Sequence, residues 1–488
     1  MKRIPYYFLF IFLLLIGCSG DNNTNTVNPA GDDNNNPTPI TKELTIFFVN
    51  DQHGQLDNFA KVKHIIDEER ANTNVIVACS GDIFSGNPVV DNHPEKGYPM
   101  IDIMNRVGFD VSVIGNHEYD YGEAILADRI DQANFDFVCA NVDMTNSLIP
   151  QSSPYQTISV DNVKVTFLGL VETNGKDDGT IPSTHPWRVA NLVFDKPEDV
   201  LSGYANVKTQ EDSDLYIALT HLGYQSYGGS ISDSGIATQF PFFDLIIGGH
   251  SHQEISNAVN SIPIFQSGSY LNNLGKIKLR IKDKAIDLIN YELINLNAYS
   301  EVDTDLKAVI DDYNNQPYLT EVIGYSHNFH DRPEVGCFYT DAIRGVLNVD
   351  ITFQNSGGIR SSLNEGDITQ REIFEISPFN NGTVIYDMTA LDIKNFLIGS
   401  GSGFYYSGVQ IEQAGNTIEI RDLNNNLIPD NTMLTLGTND YIPAVHDAYF
   451  PVNGSIQTLT AAETLIYYLE NVNSEVDYPN CTRFFRFQ

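Results

Sequence analysis

From residue 44 onward the chain repeats one pattern: a short run of β-branched and aromatic residues, a polar glycine-containing loop, then apolar residues at helical spacing. Residues 46–49 lead into Asn50-Asp51-Gln52-His53-Gly54, and 59–69 follow as a helix. Residues 75–79 lead into Gly81-Asp82, with a helix over 100–107. Residues 111–114 lead into Gly115-Asn116-His117-Glu118-Tyr119-Asp120, with a helix near 124–133. Two later strands, 215–219 and 245–247, run into Thr220-His221 and Gly248-Gly249-His250-Ser251-His252. The alternation predicts an α/β domain whose polar residues sit at strand ends. Ligands of such sheets bind outside the carboxyl ends of the strands, where loops are free to carry function. An acidic, Asn-rich helical stretch from about 299 to 318 reads as a connection to a second domain.

The first residues break this pattern. Lys2 and Arg3 precede an apolar run over 6–16 that ends at Leu15-Ile16-Gly17-Cys18. The run is shorter than the roughly 20 apolar residues a membrane-spanning helix needs, and it reads as a signal peptide ending in a lipobox, with Cys18 as the lipidated residue. Residues 19–41 are Asn, Asp, Thr, Pro and Gly with almost no apolar side chain, a composition that cannot offset its own ordering entropy and so reads as a tether. The expected organisation is a signal peptide (1–17), a lipidated cysteine with tether (18–42), a catalytic domain (43–298), a helical linker (299–322) and a substrate-binding domain (323–488). The expected location is extracytoplasmic, on a bacterial membrane held by the lipid.

Charge narrows the partners. The 63 acidic and 28 basic side chains give a formal charge of −35, which argues against nucleic acid as a partner. An anionic substrate would then need local cations. Apart from Cys18 there are four cysteines, too few for a disulfide framework. Cys79 and Cys139 end apolar runs and read as buried thiols, whereas Cys337 and Cys481 could pair in an oxidising compartment.

Five of the eleven histidines, His53, His117, His221, His250 and His252, fall at the predicted strand ends. His64, His93, His185, His327, His330 and His446 read as packing or surface residues. In the second domain Asn355-Ser356-Gly357-Gly358-Ile359-Arg360 is a glycine loop closed by arginine, suited to an anion because bare backbone approaches it while guanidinium binds it in a fork.

Asp51-x-His53, Gly81-Asp82, Gly115-Asn116-His117-Glu118, His221 and Gly249-His250-Ser251-His252, in this order, resemble the signature of the calcineurin-like metallophosphoesterases. The glycine loop, Pro378-Phe379-Asn380-Asn381 and Thr438-Asn439-Asp440-Tyr441 with His446-Asp447 resemble the C-terminal domain of the bacterial 5′-nucleotidases. The resemblance implies an N-terminal four-layer α/β/β/α domain followed by a smaller α+β substrate-binding domain. It implies two divalent metal ions, with Asp51, His53 and His252 on one, Asn116, His221 and His250 on the other, and Asp82 bridging. Carboxylate, imidazole and amide oxygen together suit Zn, Mn, Fe or Co. A hydroxide held between such ions is the implied nucleophile, and His117, held by Asp120, the implied catalytic dyad. Nucleotide binding is implied for Asn355, Gly358, Arg360, Phe379, Asn381, Tyr441 and Asp447, with Phe379 and Tyr441 stacking on the base and Asp447 reaching sugar hydroxyls.

The implied reaction is hydrolysis of nucleoside 5′-monophosphates. Other readings on the same scaffold are a 2′,3′-cyclic nucleotide phosphodiesterase and a nucleotide-sugar or dinucleotide pyrophosphatase. A surface lipoprotein that binds nucleotide or carbohydrate without hydrolysis is a further one. Two departures bear on the substrate. Arg332-Pro333-Glu334 stands where relatives carry an arginine before Gly-Asn, and Glu334 is expected to repel a phosphate. Val445-His446-Asp447-Ala448 replaces a glycine-rich run.

Overall fold

The strand Thr41–Val49 is buried from Leu44 onward because its alternate side chains enter two different cores. Phe47 and Val49 face one, and Leu44, Ile46 and Phe48 face the other, as the two-residue period of a strand dictates. This strand lies inside a six-stranded sheet, in the order Ala285–Asn295, Asn273–Lys282, Thr41–Val49, Val75–Cys79, Val111–Val113, Asp136–Val138. A second six-stranded sheet runs Glu254–Val259, Ile262–Ser267, Leu245–Ile247, Leu215–His221, Val163–Val171, Tyr155–Val160. The computed structural model describes residues 41–176, 178–226 and 229–488. Cys18, the expected signal peptide and nearly all of the expected tether lie outside the described residues.

The two sheets pack face to face through Ile46, Phe48, Ile76 and Val111 on one side and Val165, Phe167, Ile217 and Leu219 on the other. Helices Phe59–Arg70 and Tyr98–Val107 cover the outer face of the first sheet. Helix Asp233–Gln239 and short helices over 197–210 cover that of the second. The result is the expected four-layer α/β/β/α arrangement. The parallel strands Thr41–Val49, Val75–Cys79, Val111–Val113, Leu215–His221 and Leu245–Ile247 bring the five polar loops to one edge.

Beyond residue 299, helix Thr304–Asn314 buries Leu306 and Ile310, with Leu319 after it, in the core beneath the first sheet. The expected linker is therefore packed along the first domain. A third six-stranded sheet follows, in the order Ser455–Thr460, Gly382–Thr389, Met433–Asn439, Ile351–Asn355, Gly403–Ser407, Phe484–Arg486. Helix Ala390–Gly399 packs on one side through Ile393, Phe396 and Leu397. Helices Arg332–Leu347 and Ala461–Asn471 pack on the other. Cys337 and Cys481 are disulfide-bonded, tying the C-terminal segment to helix Arg332–Leu347 across 144 residues of sequence. Cys79 and Cys139 are free, and burial pushes both thiols up to about 12. Among the described residues no helix is long and apolar enough to cross a membrane.

Candidate metal centre and substrate cavity

The loops that follow the parallel strands turn sharply. Asp51, His53, Asp82, His250 and His252 have φ of 52°, 49°, 56°, 75° and 56°, in the left-handed region that costs a non-glycine residue about 1–3 kcal/mol. The turns fold five side chains back onto one point. The candidate ligand atoms of Asp51, His53 and His252 lie within 4.8 Å of one another, as do those of Asp82, His221 and His250. Asp82 stands between the groups, its Oδ2 3.9 Å from His53 Nε2 and 3.0 Å from His221 Nε2. Asn116 Oδ1 lies 3.0 Å from His250 Nδ1.

Each side chain is aimed by a partner behind it. His53 Nδ1 lies 3.1 Å from the Ser85 carbonyl and His221 Nδ1 2.6 Å from that of Ser80, so each donates there and turns its Nε2 forward. Asn116 donates to the Ser183 carbonyl at 3.0 Å, which turns its oxygen toward the cluster. His53 Nε2 then meets His252 Nε2 at 3.0 Å, and the buried His221 Nε2 faces Asp82 Oδ2 at 3.0 Å. Imidazole nitrogens converging on one another and on the carboxylates of Asp51 and Asp82 form a set that fits a divalent cation. Burial drives His53 down to about 3, the neutral form a metal ligand needs, whereas at His221 the carboxylates of Asp82 and Asp51 outweigh burial and push it up to about 10, so a cation there would have to displace a proton.

His117 Nδ1 lies 2.7 Å from Asp120 Oδ2, and its backbone N–H donates to Asp82 Oδ1 at 2.9 Å. Burial lowers the pKa of His117, but the carboxylates of Asp120 and Asp82 outweigh it and the net shift is upward. Phe379, from the second domain, lies parallel to the His117 ring, with centroids 5.5 Å apart and an interplanar angle of 14°. The Arg360 guanidinium is 5.5 Å from the Phe379 ring centroid. The ring expected to stack on a base thus stacks here on the dyad.

A cavity of about 240 Å³ is lined by Asp82, Asn116, His117, Asp120, His250 and His252 from the first domain and by Asn355, Arg360, Phe379, Asn381 and Tyr441 from the second. Asp51, His53 and His221 sit behind this wall, fully buried. A second cavity of about 670 Å³ shares Asn355 and Tyr441 with the first and holds Asp447, His446 and Lys176. Gly358 lines neither, and a Cβ there would sit 2.3 Å from Gln354 Nε2, so its place in the loop is set by packing.

The calcineurin-like phosphoesterase pattern matches residues 44–254, and that of the 5′-nucleotidase C-terminal domain matches residues 318–452. The chain belongs to the calcineurin-like phosphoesterases of the 5′-nucleotidase type. It is 27% identical to the trifunctional nucleotide phosphoesterase YfkN of Bacillus subtilis (strain 168), over 86% of this chain and 33% of that protein, so it spans a third of that relative's length. It is 25% identical to a 5′-nucleotidase of Vibrio cholerae, over 78% of this chain and 80% of the other. The crystal structure of a 5′-nucleotidase precursor from Thermus thermophilus shares the fold, with a TM-score of 0.73 at 20% identity, covering 90% of this chain and 98% of that one.

Several residues of this phosphoesterase site carried no role in the sequence reading. Glu118 is fully buried and accepts backbone N–H groups from Asp82 at 3.0 Å, from Ile83 at 2.6 Å and from Gly115. It thereby braces two ligand loops against each other. Gly115 is required at that contact, since a Cβ would sit 2.4 Å from Asp82 Oδ1. His185, read from sequence as structural, lines the first cavity, and His446 lines the second. Arg332 donates to the Ile359 carbonyl at 2.5 Å and so shapes the glycine loop from behind. Glu334, expected to repel a phosphate, completes the capping box of Asp331 at the start of helix Arg332–Leu347. The sequence signal for Glu118 was its place in the Asn-His-Glu run; for His185 there was none.

Proposed function

We propose that this phosphoesterase hydrolyses nucleoside 5′-monophosphates to nucleoside and phosphate, using two divalent metal ions held by a catalytic domain (43–298) beside a substrate-binding domain (323–488). The observation that carries the reading is a single cavity walled by four of the candidate metal ligands, Asp82, Asn116, His250 and His252, the His117–Asp120 dyad and the phosphate- and base-binding types Arg360, Asn355, Phe379 and Tyr441. Asp51, His53 and His252 would hold one ion, Asn116, His221 and His250 the other, with Asp82 shared. Zn, Mn, Fe or Co suits these donors. Such ions neutralise phosphoryl charge and make bound water a nucleophile at neutral pH.

The protein's own groups do the rest. Asp120 holds His117 Nδ1, so the proton available for the leaving 5′ oxygen sits at Nε2, the edge turned toward Asp82 at 4.0 Å. Arg360 and Asn355 bind phosphate or ribose, Asn381 supports the Phe379 loop, and Tyr441 forms the wall between the two cavities. Asp447 reaches sugar hydroxyls from the second cavity. The size of that second cavity favours one further reading, a nucleotide-sugar or dinucleotide pyrophosphatase with its second moiety there. The protein acts outside the cytoplasm, held to a membrane by lipid on Cys18.

The deciding experiment is hydrolysis of AMP, a 2′,3′-cyclic nucleotide, UDP-glucose and NAD by the full chain with Mn or Zn, alongside elemental analysis. AMP is expected to be hydrolysed best, with two metal ions per chain. Tyr441→Ala is expected to raise KM for AMP by roughly 5- to 150-fold, the value of one lost base stack. Faster turnover of UDP-glucose or NAD than of AMP would transfer the assignment to the pyrophosphatase reading, and one metal ion or none would remove the two-metal centre.

A further inference from the structure

Residues 183–188 of the first domain touch one candidate metal ligand, Asp120 and two loops of the second domain. Ser183 receives the amide of Asn116 at its carbonyl, 3.0 Å away, and gives its own N–H to buried Glu172 at 2.6 Å. Thr184 Oγ1 donates to Asp120 Oδ1 at 3.0 Å. The next residues reach the second domain at two separate loops. His185 Nε2 lies 3.3 Å from Asp440 Oδ1, and its ring meets that of Tyr441 edge-on at 6.0 Å. Arg188 donates through Nη2 to the Phe379 carbonyl at 2.8 Å and to Asn381 Oδ1 at 3.3 Å, while its Nη1 stands 3.8 Å from Asp120 Oδ1.

We propose that this segment is a clasp that sets both substrate loops of the second domain against the dyad, with Arg188 as its positioning residue. One guanidinium spans the carboxylate that orients His117 and the backbone of the loop whose Phe379 ring lies on His117, so the loop's distance from the dyad is fixed by a single planar fork. Lysine, a point charge, cannot make both contacts at once. His185 meets the other loop by its edge-on contact with Tyr441 and by the 3.3 Å approach of Nε2 to Asp440 Oδ1, which is not a hydrogen bond. Its Nδ1 lies 3.3 Å from the Trp187 N–H and accepts from it, which leaves the proton on Nε2, facing Asp440. The clasp rests on the reading of Phe379 and Tyr441 as substrate-facing, but its first test uses no substrate, so the two fail separately.

Trp187, the one tryptophan of the chain, lies between the two contact residues, 5.0 Å from the His185 ring and 55% exposed. Its fluorescence in the full-length protein reports the clasp directly. Arg188→Gln and Asn381→Ala are each expected to red-shift its emission and raise its quenching by acrylamide, and the double variant is expected to do no more than either alone. Circular dichroism and the thermal midpoint check folding, and Arg188→Lys supplies a milder variant. In turnover, Arg188→Gln is expected to raise KM for AMP roughly tenfold or more with kcat changed far less, and Arg188→Lys to recover part of that loss. Additive spectral shifts, or none, in folded variants would overturn the clasp whether or not AMP is a substrate. A fall in kcat with KM unchanged would also overturn it, since Arg188 would then act on the chemical step.

Discussion

Replacing Glu118 with Gln keeps the shape of a fully buried side chain and removes half its capacity to accept. In the native arrangement one oxygen takes the N–H groups of Asp82 and Gly115 and the other that of Ile83. The less costly orientation of the amide sets its NH₂ against Ile83 and orphans one buried donor, at about 1–3 kcal/mol; the reverse orphans two. The orphaned Ile83 donor adjoins Asp82 in the same loop, so the strain falls beside the candidate bridging carboxylate. Loss of such an outer partner typically weakens metal binding by about 10- to 100-fold. The assay is metal retained after dialysis against graded chelator, read by elemental analysis, with urea unfolding of the metal-free protein beside it. Glu118→Gln is expected to lose metal at lower chelator and to unfold about 1–3 kcal/mol more easily. Wild-type retention together with a wild-type unfolding curve would show that Glu118 braces nothing.

Asp91 accepts from Tyr121 Oη and the Gly86 N–H, and burial pushes it up to about 7, against the pull of those two donors. The folded state therefore keeps a proton that the unfolded chain has lost between about pH 4 and 7, and stability falls as pH rises through that window. Asp91→Asn, which has no charge to bury, is expected to gain on the wild type across the same window in thermal midpoints of metal-free protein; a constant difference would refute the assignment. Cys18→Ser is expected to release the protein from membranes without altering turnover, and mass spectrometry of the mature N-terminus checks it, since a retained Met1 would remove the lipid anchor.

Strands and ligand loops of the first domain were legible in the sequence because both rest on local chemistry. β-branched runs bounded by glycine dictate strands at Val75–Cys79 and Leu245–Ile247 within a residue or two of where they form. The residue types of Asp51, His53, Asp82, Asn116, His221, His250 and His252, placed at strand ends, together with the family resemblance they carry, pointed to a candidate metal centre, and the structure brings their side chains together. The pairing of Cys337 with Cys481 stayed open because two cysteines 144 residues apart say nothing of their distance in space. Tertiary structure alone decided that Thr304–Asn314 packs along the first domain, that Glu118 braces two loops, and that Phe379 lies on His117. It alone brought His185 and Arg188 to loops far along the chain, around Asp440 and Phe379. These contacts depend on the angle at which the sheets of the two domains meet, a global property that no periodicity of hydrophobic positions encodes. Local pattern thus determined which residues stand at the strand ends, and the meeting of the domains determined what faces them.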